Sequence, residues 1–355
     1  MGGLRNFLEF RKQDYQLMLK YYPNNSLIKN IVYCWKKYRY QQKYNFAHLE
    51  FFCLHLGEKN ESDVAKLYPR KLQAELYGKV NDGSMWAITK DKFASYQILK
   101  EFYKRKVCGY NPSPNQTVKS FYDNYDWKSD VLEFIKSHTR FIIKPLAEAC
   151  GMGVKILEKL PTDDAELLLK QYIADYPKGF VLEELIHQHA ALAKMHPSSV
   201  NTMMVNVFNS EGYADGRVEI QFPCFRVGRH GAVVDNAGSG GIMVAVDAKT
   251  GKMIAAADEE GDFYKEHPES HIPFDGEIPF WSDLIIAATN VSKAMPKLKI
   301  AGLDFALDRE KGWSLVEINV EPYMIYQIAT QKGIRDYMDN FAKKCGVLEP
   351  KKNDR

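Results

Sequence analysis

The segment 302–319 constrains the fold of this chain more than any other. Two apolar runs flank a short polar stretch there, a pattern typical of antiparallel strands joined by a tight turn. A four-residue loop after Asp308 would pair that residue with Trp313 and place Asp304 directly opposite Glu317. The sequence therefore predicts two carboxylates that face each other on one side of a β-sheet.

Asn319 extends this acidic pair into a candidate metal site. Side chains alternate along a strand, so Glu317 and Asn319 emerge on the same face as Asp304. Like charges across a ladder are destabilising, and Mg²⁺ relieves the repulsion by binding carboxylate and amide oxygens while keeping water and nucleotide phosphate as further ligands. We predict that these three residues bind Mg²⁺. The alternative is a register slipped by one residue, which leaves Glu317 in solvent.

A lysine and a glycine-rich loop form a candidate phosphate site. Lys144 ends an apolar strand, and Gly151 and Gly153 follow before the next strand. An ammonium group and backbone N–H groups can surround phosphate oxygens there, although Gly-x-Gly loops often only turn the chain. The chain has no G-x-x-x-x-G-K-[ST] motif, and residues 238–243 depart from G-x-G-x-x-G at the last position. P-loop and Rossmann proteins are therefore disfavoured.

An apolar strand that ends in Glu183 and Glu184 is a candidate for adenine recognition. The edge backbone of such a segment can read adenine while an acid lies at the polar rim of the site. We extend this candidate nucleotide contact to Leu185 and Ile186, which follow directly. A plain core strand is the alternative interpretation.

Two arginines precede a segment rich in glycine and amide side chains. Arg226 and Arg229 supply planar donors suited to carboxylate or phosphate, and nearby glycines allow a ligand to approach the backbone closely. The alternative is a pair of solvated hairpin arginines. The histidines form no H-E-x-x-H motif and no serine sits in G-x-S-x-G, so zinc and serine hydrolases lack support.

Length and composition set further bounds. A chain of 355 residues that is 45% hydrophobic can bury a sizeable core and corresponds to two or three domains or subdomains. Strand patterns dominate from Phe141 onward, and glycine-containing turns between them indicate antiparallel sheet with helices to one side, an α+β architecture. The six cysteines form no C-x-x-C pair, and neither an apolar leader nor a membrane-spanning stretch is seen, so we expect a cytoplasmic protein.

Charge is distributed unevenly along the chain. The net charge of +3 is too balanced for a surface that binds nucleic acid throughout, yet residues 1–60 hold ten basic and four acidic residues. The run from Trp35 to Tyr40 interleaves basic groups with aromatic rings, as in nucleic-acid or membrane-surface patches. The alternative is a solvated helix face with its rings packed inward. We expect no nucleic-acid partner and keep peripheral membrane association through this basic region open.

Six short motifs, taken in order, resemble those of the ATP-grasp superfamily: Asp91-Lys92, Ile143-Lys144-Pro145, Gly151-Met152-Gly153, Leu182-Glu183-Glu184, Asp304 and Glu317-Ile318-Asn319. A second set resembles the sugar-transfer-associated ATP-grasp branch found with surface-polysaccharide genes: Ser199-Val200-Asn201-Thr202, Phe225-Arg226-Val227-Gly228, Val234-Asp235-Asn236, Gly240-Gly241-Ile242, Val246-Asp247, Thr250-Gly251 and His267-Pro268. The resemblance covers roughly residues 85–345. One departure is that Met203-Met204 follow Asn201-Thr202, where relatives commonly have an apolar residue and then arginine.

The resemblance implies an ATP-grasp fold in which two α+β lobes hold ATP between them. It divides the chain into a helical basic N-terminal region (1–85), a first lobe with the glycine-rich loop (86–190), a second lobe with the metal site (191–347) and a tail (348–355). Lys92 and Lys144 would contact the phosphates, residues 183–186 the adenine, and the predicted metal ligands Mg²⁺.

The resemblance also implies an enzyme that joins a carboxylate to an amine through an acyl phosphate, with release of ADP and phosphate. The substrates would be small or sugar-linked molecules used in surface-polysaccharide or sugar-precursor modification. We expect Arg226 to bind the carboxylate and the later oxyanion, His230 or Asp235 to accept the amine proton, and Arg229 and Asn236 to complete the catalytic set. A kinase-like phosphotransferase and a non-catalytic nucleotide-binding scaffold for polysaccharide enzymes are the alternatives.

Overall fold

A computed structural model describes residues 2–148, 151–214 and 216–347, with side chains from Lys12 onward. Helices fill the chain before the first strand: α1 (Gly2–Tyr21), α2 (Leu27–Tyr44), α3 (Glu50–Cys53), α4 (Glu61–Lys66), α5 (Arg70–Val80), α6 (Ser84–Lys90) and α7 (Lys92–Tyr103). Side-chain caps set several starts, because Ser26, Asn60 and Asp91 each accept a backbone N–H bond from the first turn of α2, α4 or α7.

The smaller sheet is antiparallel and has the strand order β1-β4-β2-β3. Two helices pack on it and bury Phe134, Phe141 and Phe180 in a common core. Its elements are β1 (Val107–Tyr110), α8 (Trp127–Ser137), β2 (Arg140–Pro145), β3 (Lys155–Glu158), α9 (Ala165–Asp175) and β4 (Phe180–Glu183).

The larger sheet is also antiparallel and has the order β11-β10-β5-β6-β7-β8-β9. Its strands are β5 (Thr202–Asn209), β6 (Val218–Val227), β7 (Ile242–Val246), β8 (Met253–Ala257), β9 (Phe263–Tyr264), β10 (Ile300–Asp308) and β11 (Gly312–Asn319). The helices of this half are α10 (Ala190–Ala193), α11 (Trp281–Ala294), α12 (Tyr326–Thr330) and α13 (Arg335–Lys344).

Both faces of the larger sheet are covered. Met203 and Phe225 lie in one core cluster with residues of α11 and α7, whereas their chain neighbours Met204 and Cys224 lie in another with residues of α1, α2, α3 and α12. Alternate residues of one strand thus serve two cores. The N-terminal helices therefore pack directly on the second lobe and cover one face of its sheet. Within the described residues, none of the helices has the length and apolarity needed to cross a membrane.

Candidate functional site

The β10–β11 hairpin places Asp304 opposite Glu317, as predicted, but its loop length and strand register differ from those expected. Asp308 pairs with Gly312 and not with Trp313, so the loop is one residue shorter than expected. The pairing then shifts by one residue after Phe305, which leaves Val316 as a bulge and restores the predicted partners. The predicted loop was wrong, and the facing carboxylates are confirmed.

Asp304 is buried at the centre of this site. Its Oδ2 atom accepts hydrogen bonds from Arg226 Nη2 at 2.8 Å and from Asn319 Nδ2 at 3.1 Å. Its Oδ1 atom is buried and has no hydrogen-bond partner within the described part of the chain. Burial raises the pKa of Asp304 to about 6; the Arg226 charge opposes this rise, and Glu317 and Asp235 reinforce it.

Arg226 lies between two acids. Thr202 and Arg226 are paired residues on β5 and β6, and the guanidinium donates from Nε and Nη2 to Thr202 Oγ1 at 3.0 and 2.8 Å. Asp235 Oδ2 lies 3.8 Å from Arg226 Nε and accepts bonds from the backbone and hydroxyl of Thr202. One guanidinium thus holds Asp304 and Asp235 in a single charged cluster.

The residues at this cluster fit a hard divalent cation. A buried carboxylate oxygen without a partner, next to a second carboxylate on the facing strand, is an arrangement that a cation would stabilise. Across the residues that the structure describes, no three His, Cys, Asp or Glu side chains gather as metal ligands. The third protein ligand would therefore be the amide of Asn319, which already contacts Asp304.

Lys92 lies beside this cluster and also reaches the segment that follows β2. It is the first residue of α7, which Asp91 caps by accepting bonds from the N–H groups of Phe93 and Ala94. Lys92 Nζ donates to the carbonyl of Glu148 at 2.6 Å and lies 3.7 Å from Glu317 Oε1. An ammonium group at the start of a helix that packs on the larger sheet is thus in reach of the candidate metal ligand Glu317.

Lys144 is held by Glu183, one of the predicted adenine contacts. Lys144 Nζ lies 2.9 Å from Glu183 Oε2, and Arg105 donates to the same oxygen from Nε at 3.0 Å and Nη2 at 2.8 Å. Burial of Glu183 alone would raise its pKa, but the two cations lower it to about 2. The carboxylate is therefore ionised at neutral pH and fixes the position of the Lys144 ammonium.

Arg105 is a buried residue that the sequence analysis missed. Besides Glu183 it binds Ser314 Oγ at 3.2 Å and the carbonyl of Leu315, both on β11. It therefore joins the smaller sheet to the larger one beside the candidate site. No local motif marks it, because its partners in the two sheets lie 78 to 210 residues away in the chain.

Glu184 faces away from this cluster. Its carboxylate accepts bonds from the backbone of Lys106 and from Lys311, in a charged cleft of about 910 Å³ whose lining includes none of Lys92, Lys144, Asp304 or Glu317. Leu185 and Ile186, the other predicted adenine contacts, continue the chain from β4 and are half-buried.

The glycine-rich loop crosses toward the second lobe. Gly151 and Gly153 have φ angles of +72° and +71°, which favour glycine, and the Gly153 carbonyl accepts a bond from Tyr176 Oη at 2.9 Å. A Cβ atom on Gly151 would lie 3.3 Å from Val234 Cγ1. The loop thus meets the segment that carries Asp235. Ala149 and Cys150, which the sequence analysis places in this loop, lie outside the described residues.

The remaining predicted catalytic residues hold the loop that follows β6. Arg229 donates to Gly240, Tyr264 and Asp258, which ties this loop to β8 and β9. Asn236 caps a short 3₁₀ turn by accepting a bond from Gly238 N at 3.1 Å. The side chain of His230 is 76% exposed. The structure therefore brings Arg226 and Asp235 together with Asp304, and places Arg229, His230 and Asn236 apart from them.

Three solved structures illustrate what this architecture is similar to. D-alanine-D-alanine ligase from Bacillus anthracis has 13% identity and a TM-score of 0.40, over 77% of this chain and 74% of that one. VanG D-Ala:D-Ser ligase from Enterococcus faecalis has 13% identity and a TM-score of 0.44, over 75% and 64%. N5-carboxyaminoimidazole ribonucleotide synthetase from Thermotoga maritima has 15% identity and a TM-score of 0.41, over 80% and 57%. No curated protein sequence matches the chain.

Two antiparallel sheets thus meet at the site, with Asp304 and Glu317 on the larger one and the Lys144–Glu183 pair on the smaller one. A family model described as sugar-transfer associated ATP-grasp matches residues 71–343, and the chain belongs to this family. The ATP-grasp fold and the helical region that precedes it, both expected from the sequence, are confirmed.

Proposed function

We propose that the protein is an ATP- and Mg²⁺-dependent ligase that joins a carboxylate to an amine through an acyl phosphate. One observation carries this proposal: Asp304 and Glu317 face each other on the larger sheet, and the Lys92 ammonium lies 3.7 Å from Glu317 Oε1. A cationic group next to a pair of carboxylates suits a magnesium-bound triphosphate.

Asp304, Glu317 and Asn319 would hold Mg²⁺, which when bound neutralises phosphate charge. Lys92 and Lys144 would bind phosphate oxygens, and their charge would stabilise the transferring phosphoryl group. Lys144 is now paired with Glu183 at 2.9 Å. A phosphate bound there would share the Lys144 ammonium with the Glu183 carboxylate. Glu183 therefore fixes the position of this ammonium before the nucleotide binds. Gly151 and Gly153 would let the backbone approach the phosphates.

Arg226 is the residue we assign to the carboxylate substrate. It uses Nε and Nη2 for Thr202 and Asp304, and within the described residues its Nη1 atom forms no hydrogen bond. The side chain is 15% exposed, so Nη1 is a fixed donor for a substrate oxygen. Fixed donors of this kind also stabilise an oxyanion that forms later in the reaction.

The proposed reaction has two steps. A carboxylate oxygen attacks the γ-phosphorus of ATP, the bond to the ADP oxygen breaks, and ADP leaves. The amine nitrogen then attacks the acyl carbon, the carbon–oxygen bond to phosphate breaks, and the nitrogen loses a proton. Asp235 lies in the Arg226 cluster and is our candidate acceptor for that proton, with the exposed His230 as the other. Closure of the glycine-rich loop would exclude water from the acyl phosphate.

We propose that the carboxylate and the amine are small or sugar-linked molecules, used in surface-polysaccharide or sugar-precursor modification; the family description, sugar-transfer associated ATP-grasp, supports the connection to sugars. We also place the reaction in a reducing, cytoplasmic compartment.

The test measures ADP release by the purified chain with ATP, Mg²⁺ and a panel of sugar acids, with and without amino acids and amino sugars. ADP release that needs both an acid and an amine, together with an amide product by mass spectrometry, supports the ligase. A phosphorylated product formed without amine supports a kinase, and tight ATP binding without turnover supports a scaffold; either result overturns the proposal.

A further inference from the structure

Helix α2 exposes a continuous apolar stripe. Six large apolar side chains on it are 45–75% exposed, at spacings of mostly three and four residues: Leu27, Ile28, Ile31, Val32, Trp35 and Tyr38. The opposite side of the helix packs inward through Asn30, Tyr33, Lys37 and Tyr40. Because a helix turns about 100° per residue, the two sets occupy opposite sides of α2. The stripe is about 17 Å long at about 1.5 Å per residue.

Basic side chains border this stripe on one side. The helical rotation places Lys29, Lys36, Arg39 and Lys43 next to it, and α2 contains no acidic residue. Glu61 contacts Arg39 and Lys43 and offsets part of this charge. Among the residues whose side chains the structure describes, Lys36 donates to backbone carbonyls and the Lys29 ammonium lies 5.4 Å from the Tyr33 ring centre, and no acid there contacts either lysine.

We infer that α2 lies along the surface of an anionic lipid bilayer. The apolar stripe enters the boundary between headgroups and acyl chains, and the bordering lysines and Arg39 contact anionic headgroups. An apolar face with a tryptophan beside a strip of Lys and Arg is the arrangement of interfacial helices. The Arg39 guanidinium lies 5.4 Å from the centre of the exposed Trp35 ring, which puts a cation and an amphipathic ring together at the headgroup level.

A second copy of the chain is a poorer occupant of this face. A twofold contact that pairs the two α2 helices in antiparallel orientation places the basic strip of one copy beside that of the other, since the same surface is used twice. The strip carries four positive charges, and Glu61 is the acid that contacts two of them. An anionic membrane complements this charge, whereas a second copy repeats it.

The test is co-sedimentation of the full chain with vesicles of phosphatidylcholine and phosphatidylglycerol in equal parts, against vesicles of phosphatidylcholine alone. We expect tighter binding to the anionic vesicles, and weaker binding as salt is added. The triple variant Ile28→Ser/Ile31→Ser/Trp35→Ser should bind anionic vesicles roughly tenfold more weakly or worse, since three inserted apolar side chains are lost. Lys29→Gln/Lys36→Gln should lose the preference for anionic lipid while keeping residual binding.

The matched control is Leu160→Ser/Leu167→Ser/Ile286→Ser, which removes apolar side chains that are 66%, 67% and 59% exposed elsewhere on the molecule. It should bind vesicles as the unaltered chain does. Absence of vesicle binding by the unaltered chain, or equal binding by the α2 variant and the control, overturns the inference. Sedimentation velocity without lipid tests the alternative occupant. If the unaltered chain is a dimer and the α2 variant is a monomer, the stripe binds a second copy of the chain, and the membrane inference is overturned as well. The α2 variant should release ADP without lipid at the rate of the unaltered chain, so that a loss of membrane binding can be distinguished from a loss of the proposed reaction.

Discussion

Asp304 and Glu317 face each other across β10 and β11 because one extra residue, Val316, interrupts the pairing between the hairpin loop and the site. Bulges of this kind re-aim side chains near functional sites. Here the bulge turns Glu317 to the side of Asp304, where Arg226 and Lys92 also converge. The two acids therefore face each other because of the bulge as well as the pairing of the two strands.

Glu317→Gln is expected to abolish Mg²⁺-dependent ADP release while the chain stays folded. Glu317 is 35% exposed and its loss leaves no buried charge without a partner, so the thermal transition should move little. The matched control is Glu310→Gln in the same hairpin, at a side chain that is 71% exposed. ADP release by the Glu317 variant at the rate of this control contradicts the metal assignment.

Arg226→Ala is expected to destabilise the chain by about 3–5 kcal/mol, because it leaves the buried carboxylates of Asp304 and Asp235 without their shared cation. Urea unfolding measures this change. The control is Arg140→Ala, whose partner Glu158 is exposed, and it should cost less than about 1 kcal/mol. Equal losses for the two variants would show that Arg226 is not needed to compensate these acids.

Glu183 is expected to make stability depend on pH in the acid range. Its pKa is about 2 in the folded chain against an ordinary value of 4.5, so the ionised group stabilises the fold above about pH 4.5, and this stabilisation is lost as pH falls toward 2. The stability advantage of the unaltered chain over Glu183→Gln should shrink by about 2 kcal/mol between about pH 6 and about pH 3. Denaturant unfolding at several pH values checks this. If the stability difference between the unaltered chain and Glu183→Gln is the same at every pH, Glu183 is not ion-paired in the folded chain.

Gly153→Ala is expected to weaken both stability and ATP binding. The left-handed φ costs alanine about 1–2 kcal/mol, and the new Cβ would lie 2.7 Å from Pro145 Cγ, next to Lys144. Gly346→Ala isolates the first cost, since Gly346 has nearly the same φ, +69°, but open space around its Cβ position. Gly153→Ala should therefore lose more stability than Gly346→Ala and raise the KM for ATP, which Gly346→Ala should leave unchanged. Equal KM values for the variant and its control would show that the glycine-rich loop takes no part in ATP binding.

The sequence predicted the facing pair Asp304 and Glu317 because two deviations from the expected hairpin cancel: the loop is one residue shorter, and the bulge at Val316 adds one residue back. The turn itself was missed, since a three-residue loop with a bulge and a four-residue loop without one satisfy the same apolar pattern. Lys92 and Lys144 were found through motifs, yet the pairing of Lys144 with Glu183 depends on a cross-strand neighbour that no local pattern specifies.

The role of Arg105 and the covering of the second face of the larger sheet could not be predicted from local sequence patterns. Arg105 has its partners in distant strands, and the N-terminal helices pack on Met204 and Cys224 through contacts that amphipathic spacing alone cannot assign. Sequence periodicity shows that a face is apolar but does not identify what covers it.

Arg105 binds Glu183 in the smaller sheet and both Ser314 and Leu315 in the larger one, while Lys311 in the β10–β11 loop binds Glu184, the next residue. The end of β4 is therefore fastened to the β10–β11 hairpin at two consecutive residues. A relative movement of the two sheets that keeps these bonds would turn about this junction, so the Lys144 ammonium, which Glu183 holds, would move less than atoms farther from it.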